Sequence, residues 1–319
     1  MRISIPRESG EGEWRVAAAP SAVRALVEAG HEAWIEQSAG LASGFGDDEY
    51  IRAGGSIAPT AEEAFERGTW LWKVLAPSPH ERTLLRPGQT VAALLHAEPP
   101  LPGGVVPFAL ERVERHGEYP VLAAMSEIAG RLGVEAASQA LSRARGGLGL
   151  LLGGVPGVAP ARVAIIGAGV AGRAAAETAV AVGADVEVLD TDVSRLRAFR
   201  VAGARTLHAT PYSIERALIR ADVVITAVRD TSGVAPRIAT RAHLALMQPG
   251  SVVVDLSITD GGAFESTPLT SPSEPTMVVD GIVHVGVPNL AGSVPRTASV
   301  ALSLASLPFV LAGLGAVAK

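Results

Sequence analysis

The chain has 319 residues, 48% apolar and 18% charged, which is enough for two domains with a core each and excludes general disorder. A net charge of −5 with dispersed Lys and Arg leaves no basic face for nucleic acid. The absence of cysteine excludes disulfides, thiolate metal sites and cysteine nucleophiles together, in keeping with a cytoplasmic location.

The opening MRISIPRESGEGEWR turns charged after a few apolar residues, unlike a secretory signal. ISIP at 3–6 predicts a short strand, SAVRALVEAG at 21–30 a helix ended by Gly30, and EAWIEQ at 32–37 a second strand. TWLWKVLAP and QTVAALLHAEPP predict apolar strands that stop at proline, which cannot continue a ladder. This alternation indicates parallel βαβ units. Met125 to Arg145 has the spacing of a long connecting helix, and GGLGLLLGGVPGVAP at 146–160 reads as a glycine-rich linker lying close to other backbone. From Pro160 the rhythm resumes. ARVAIIG, DVEVLD, ARTLHA, ADVVITAV and SVVVDLSI are apolar runs separated by helices, the pattern of a doubly wound sheet. Thr297 to Ala318 carries no charge and matches a membrane span in length. Pro308, the one-sided Ser299, Ser303 and Ser306, and the lack of an aromatic belt predict a packed core helix instead, crossing back to the first domain.

Gly167, Ala168, Gly169, Val170, Ala171 and Gly172 form G-A-G-V-A-G directly after the strand ARVAII and at the start of a helix. In that context the first glycine permits a tight turn, the second lets a pyrophosphate approach backbone, and the third lets helix and strand pack closely. The helix N-terminus offers N–H groups and a positive dipole end to phosphate. Asp190 closes the next strand, where a carboxylate accepts ribose hydroxyls and repels a 2′-phosphate, favouring NAD over NADP. The plainer alternative makes the glycines packing and Asp190 a helix cap. Arg195 and Arg197 read as solvated helix residues.

R-V-A-A-A-P at 15–20, G-H-E-A-W-I-E at 30–36, S-G-F-G-D-D-E-Y at 43–50, M-S-E-I-A-G-R-L at 125–132, G-G-V-P-G-V-A-P-A-R-V at 153–163 and V-P-N-L-A-G-S-V-P-R-T at 287–297 resemble alanine dehydrogenase. The NAD-binding component of proton-translocating transhydrogenase is a more distant likeness. The resemblance runs in order along nearly the whole chain. It implies an α/β protein of two Rossmann-like domains, doubly wound parallel sheets with a cleft between them. Residues 1–125 plus 291–319 would hold the oxo acid and 126–290 the NAD. It also implies a homo-oligomer without nucleic-acid or membrane partners. Within its motifs, Arg15 is the substrate arginine, Lys73 the strand lysine, His96 the histidine after the next strand, and Asn289 a cofactor contact.

Each of these residues also makes physical sense alone. Arg15 can grip a carboxylate with two parallel N–H bonds. Lys73 interrupts the apolar W-L-W-K-V-L, where an unpaired ammonium is expensive. His96, near Glu98, is of the residue type that shuttles protons near neutrality. The competing readings are a surface ion pair for Arg15, an edge-strand charge for Lys73 and a capped core histidine for His96. Two departures stand out. Where the family reads D-x-A-I-D-Q-G-G, this chain has Asp255-Leu-Ser-Ile-Thr259-Asp260-Gly-Gly, so Thr259 takes the place of the active-site aspartate and Asp260 follows it. The segment after His96 is short and proline-rich. The expected function is therefore NAD-dependent exchange between an amino acid and its 2-oxo acid or imine, with alanine itself in question. The alternatives are a non-catalytic NAD sensor and a hydride-passing part of a transhydrogenase.

Overall fold

The computed structural model describes residues 1–96, 99–230 and 233–317, with side chains to Gly315. The chain divides into two compact units, Met1–Met125 with Gly292–Lys319, and Ser126–Ala291.

The first unit is built on six strands: β1 (Arg2–Ile5), β2 (Glu32–Glu36), β3 (Ser56–Ala58), β4 (Trp70–Leu75), β5 (Thr90–Leu94) and β6 (Val106–Ala109). All neighbours are parallel, in the order β3-β2-β1-β4-β5-β6. The order reverses between β1 and β4, and in such sheets ligands bind beyond the carboxyl ends of the strands at that point. Short helices α1 (Pro20–Glu28), α2 (Asp47–Arg52), α3 (Ala61–Arg67) and α4 (Pro79–Leu84) connect the strands. Proline opens α1 and α4 at positions where a missing N–H costs nothing. β5 is buried throughout and β4 nearly so, as parallel strands covered on both faces must be. The proline-rich stretch between β5 and β6 carries no helix among its described residues.

A long helix, α5 (Pro120–Ala140), begins five residues earlier than the expected start at Met125 and ends before Arg145. Pro120 fits its first position. The second unit then holds β7 (Arg162–Ile166), α6 (Val170–Ala181), β8 (Asp185–Asp190), α7 (Val193–Ala198), β9 (Ala204–His208), α8 (Pro211–Arg220), β10 (Val223–Thr226), α9 (Arg241–Leu244), β11 (Val252–Asp255), β12 (Met277–Val279) and β13 (Ile282–Val285). Its sheet order is β12-β13-β11-β10-β7-β8-β9, parallel except for the β12–β13 hairpin. The reversal here lies between β7 and β10. Two expectations change. Two strands follow the five anticipated, and β11 stops at Asp255 rather than Ile258 because Ile258–Asp260 winds into a 3-10 turn.

The last helix, α10 (Pro295–Val317), belongs to the first unit. By length and composition alone it could cross a membrane. Its three serines are buried, however. Ser299 Oγ accepts the Val16 N–H at 2.9 Å, Ser303 Oγ accepts the Ala19 N–H at 3.1 Å, and Ser306 Oγ donates to the Leu302 carbonyl. The serine face thus holds the segment that follows Arg15.

Candidate active site

In the first unit the chain leaves β1 and passes Glu8, Glu13 and Arg15 before α1. Lys73 is fully buried on β4, a central strand, so the edge-strand reading does not hold. Its Nζ lies 2.9 Å from Glu81 Oε1 and 3.2 Å from Glu8 Oε2. Each of these carboxylates spends its other oxygen on backbone. Glu8 Oε1 accepts the Val74 N–H at 2.7 Å, where the register of β4 against β5 shifts. Glu81 Oε2 accepts the Ser78 N–H at 2.7 Å, closing the capping box that starts α4. Burial works to lower the Lys73 pKa, but the Glu8 and Glu81 charges outweigh it and leave the ammonium above its ordinary value. Burial raises the Glu8 carboxyl above the usual carboxylate range, against the pull of Lys73, and does the same to Glu36 nearby.

Arg15 is buried as well, which excludes a surface ion pair. Its fork is filled by Glu13, with Nε 2.7 Å from Oε1 and one terminal nitrogen 2.5 Å from Oε2. Among the described residues the other terminal nitrogen donates only to the Met125 sulfur, a weak acceptor, at 3.3 Å. The two-bond grip expected of Arg15 is therefore made on Glu13. What remains for a ligand is the outer edge formed by the two terminal nitrogens. The Glu13 charge acts on Glu8, so Arg15 and Lys73 belong to one buried array.

His96 stands apart from that array at the end of β5. It is exposed rather than a core histidine, and among the described residues its ring makes no hydrogen bond. Its φ of 43° is left-handed, a conformation few side chains tolerate. Glu111 stabilises it by accepting the Leu95 N–H at 3.0 Å and the His96 N–H at 2.7 Å. A cavity of about 570 Å³ lies beside it, lined by Arg82, Leu95, Phe108 and Glu111 among others. Glu98 lies outside the described residues.

In the second unit the glycine-rich turn joins β7 to α6. Gly167 has φ 112°, and a Cβ there would lie 2.2 Å from the Ala227 carbonyl oxygen. A Cβ on Gly172 would lie 1.8 Å from the Gly167 carbonyl oxygen, whereas one on Gly169 would meet nothing within 4 Å. Gly169 is the N-cap of α6 and offers no side chain to it, so the first N–H groups of the helix have no side-chain cap. Asp190 Oδ2 accepts the Ala168 N–H at 2.7 Å and Oδ1 accepts that of Asp192 at 2.8 Å. Arg195, half exposed, comes within 4.0 Å of Asp190. Two glycines that cannot carry a side chain, one that opens onto free space, an uncapped helix and an acid at the end of β8 suit a dinucleotide.

Thr259 is exposed on the 3-10 turn after β11. Asp260, one residue on, has its carboxylate 3.7 Å from Arg229 Nε, and its carbonyl accepts the Ala235 N–H at 2.8 Å. Strand alternation therefore does not decide where these side chains point. The loop is organised by Asp255, which is buried and accepts from Thr226 Oγ1 (2.8 Å) and from the N–H groups of Ser257, Ala263 and Phe264 (3.0, 2.8 and 3.1 Å). Asn289 has φ 52° and lies exposed before the turn Leu290–Ser293.

Sequence reasoning passed over Glu8, Glu13, Glu81, Glu111 and Asp255. The S-P-H-E run at 78–81 is a readable capping signature and pointed to Glu81. The others carry no local signal. Replacing Asp190 by alanine should weaken NADH binding by roughly tenfold or more, the worth of a charge-assisted bond, and narrow the advantage over NADPH. Fluorescence titration with both nucleotides measures this; a wild-type preference for NADPH would remove Asp190 from the role.

The family profile described as alanine dehydrogenase/PNT, N-terminal domain, matches residues 4–129, and its C-terminal counterpart matches 133–316. The alanine dehydrogenase of Halomonas elongata is 41% identical, across 98% of this chain and 87% of that protein. That of Bacillus subtilis is 38% identical, across 98% and 85%. Among solved structures, an L-alanine dehydrogenase superposes with a TM-score of 0.91 at 40% identity, covering 98% of this chain and 89% of that one. A transhydrogenase from Sinorhizobium meliloti gives 0.86 at 29% identity, covering 98% and 94%.

Proposed function

Since this chain belongs to the alanine dehydrogenase/PNT family, we propose that it is an NAD-dependent dehydrogenase interconverting a 2-amino acid with its 2-oxo acid and ammonia. The observation that carries this reading is the Lys73 ammonium. It is buried in a central strand, hydrogen-bonded to Glu81 and ion-paired with Glu8. Among the described residues its ammonium has no further hydrogen-bond or ion-pair partner. A donor so placed suits an anionic or carbonyl oxygen, because an unfilled charged donor in a dry site is costly without one.

On this reading Lys73 and the outer edge of Arg15 bind the carboxylate and the oxo oxygen. Both are preorganised, since Glu8, Glu81 and Glu13 already fix them. His96 exchanges the proton at the substrate heteroatom, with Glu111 holding its backbone. Gly167 to Gly172, Asp190 and Asn289 hold the cofactor, which when bound supplies the two-electron oxidation. Assembly as a homo-oligomer and action in the cytoplasm belong to the same reading, the former supported by the exposed Leu304 on an uncharged face of α10. The test is NADH oxidation with a panel of 2-oxo acids plus ammonium. Turnover with pyruvate or a close homologue is expected; tight NADH binding with no turnover on any member would favour a sensor.

Thr259 bears on which amino acid is used. A neutral hydroxyl stands where the family's motif has an acid, and Asp260 has Arg229 as a neighbour. Asp260→Asn should therefore leave kcat/KM within a few-fold, while Thr259→Asp should raise it for alanine. Collapse of activity in Asp260→Asn, with NADH affinity intact, would instead make Asp260 the working carboxylate.

A further inference from the structure

We propose that Glu8 and Glu81 are positioning residues for Lys73, a pair of backbone-anchored carboxylates that hold its ammonium charged and aimed at the substrate. This rests on the reading of Lys73 as a substrate-binding group. The geometry is unusual in that each carboxylate serves two masters. One oxygen of Glu8 takes the Val74 N–H and the other faces Lys73. One oxygen of Glu81 takes the Ser78 N–H and the other Lys73. Neither carboxylate can rotate away without leaving a backbone N–H unpaired. The lysine head, on a flexible four-carbon stem, is thereby fixed, among the described residues, by carboxylates rather than by backbone.

Two carboxylates facing one ammonium exceed what charge balance needs. The groups acting on this cluster are Glu8, from the segment after β1, Glu81 from α4, Glu36 from β2, and Glu13 through Glu8. The surplus keeps Lys73 protonated in a site where burial pushes the other way. A lone buried lysine would lose its charge, and with it the grip on an anion. The structural alternative is that Glu8 and Glu81 merely finish β4 and cap α4.

The experiment separates these. Glu8→Gln preserves size and, through its amide oxygen, the acceptor for Val74, while it removes the charge and sets an NH2 group where the oxygen facing Lys73 stood. The probe is oxamate, an unreactive isostere of pyruvate, whose inhibition constant is measured from pH 7 to 10 in the NADH-loaded enzyme. Expected is a weakening of about tenfold at pH 7 that grows as pH rises, because Lys73 deprotonates at lower pH in the variant than in wild type. A thermal midpoint lowered without any pH-dependent change in oxamate affinity would overturn the proposal. Should Glu8→Gln fail to fold, Glu81→Gln, which keeps the Ser78 acceptor, is read the same way and with the same two outcomes. The double variant Glu8→Gln/Lys73→Gln removes cation and carboxylate together. If it binds oxamate as wild type does, the placement of Lys73 in the substrate site fails. If it loses oxamate while Glu8→Gln and Glu81→Gln keep the wild-type profile, only the proposal fails.

Discussion

Alanine at position 172 is expected to abolish NADH binding and destabilise the second unit, whereas alanine at 169 should leave stability unchanged and weaken the cofactor alone. A Cβ on Gly172 would lie 1.8 Å from the Gly167 carbonyl oxygen, less than any real contact, and the obstacle is backbone rather than a side chain that can swing aside. Relief requires α6 to lift from β7 at the turn that positions its N-terminus. Overpacking of this kind costs several kcal/mol, of the order of the larger values known for single substitutions. Gly169 differs, because its φ of −72° suits any residue and its Cβ would enter open space. That space is where a pyrophosphate would approach the α6 N-terminus, so one methyl group should obstruct the ligand and nothing else. Thermal denaturation and NADH titration of the two variants together give the answer. Loss of stability in Gly169→Ala, or unchanged NADH affinity there, would show that the loop does not hold the cofactor as described.

The same turn shows why part of this protein was legible in its sequence. A glycine pattern, a strand before it, a helix after it and an acid at the next strand's end are all local, so the cofactor loop and the alternating fold could be read directly. The β12–β13 hairpin was equally local and was missed. Asp280-Gly281, with φ of 49° and 81°, joins two short apolar runs in the manner of a primed turn. β3 and β6, of three and four residues, are too short for an alternation signal to stand out. The array around Lys73 lay beyond reach for a different reason. Glu8, Glu13 and Glu81 meet the two cations only after β1 and β4 pair and α4 folds back. The sequence could say that a lysine in an apolar strand needs an anion. It could not say that the protein itself supplies two.

Lys73→Met is the second substitution with a large expected effect, and it acts on stability as well as on binding. Removing the ammonium leaves Glu8 and Glu81 facing one another in a dry site, and breaking a buried pair from one side costs about 3–5 kcal/mol. The loss depends on pH. The folded-state pKa of Glu8 is already raised by burial, and loss of Lys73 raises it further. A carboxyl whose pKa is higher in the folded state than in the unfolded one contributes most below the unfolded value and loses that contribution as pH rises through the folded one. The deficit of Lys73→Met against wild type should therefore be small near pH 4 and grow towards pH 8. All four tryptophans (Trp14, Trp34, Trp70 and Trp72) lie in the first unit, so urea unfolding followed by tryptophan emission reports on this site without the second unit. Adding Glu8→Gln to Lys73→Met removes one of the two stranded charges and should restore part of the midpoint, since the double variant buries one charge fewer. Equal stability of Lys73→Met and wild type at pH 7, or a deficit that does not change with pH, would mean that the carboxylates around Lys73 are not held in charged form against burial.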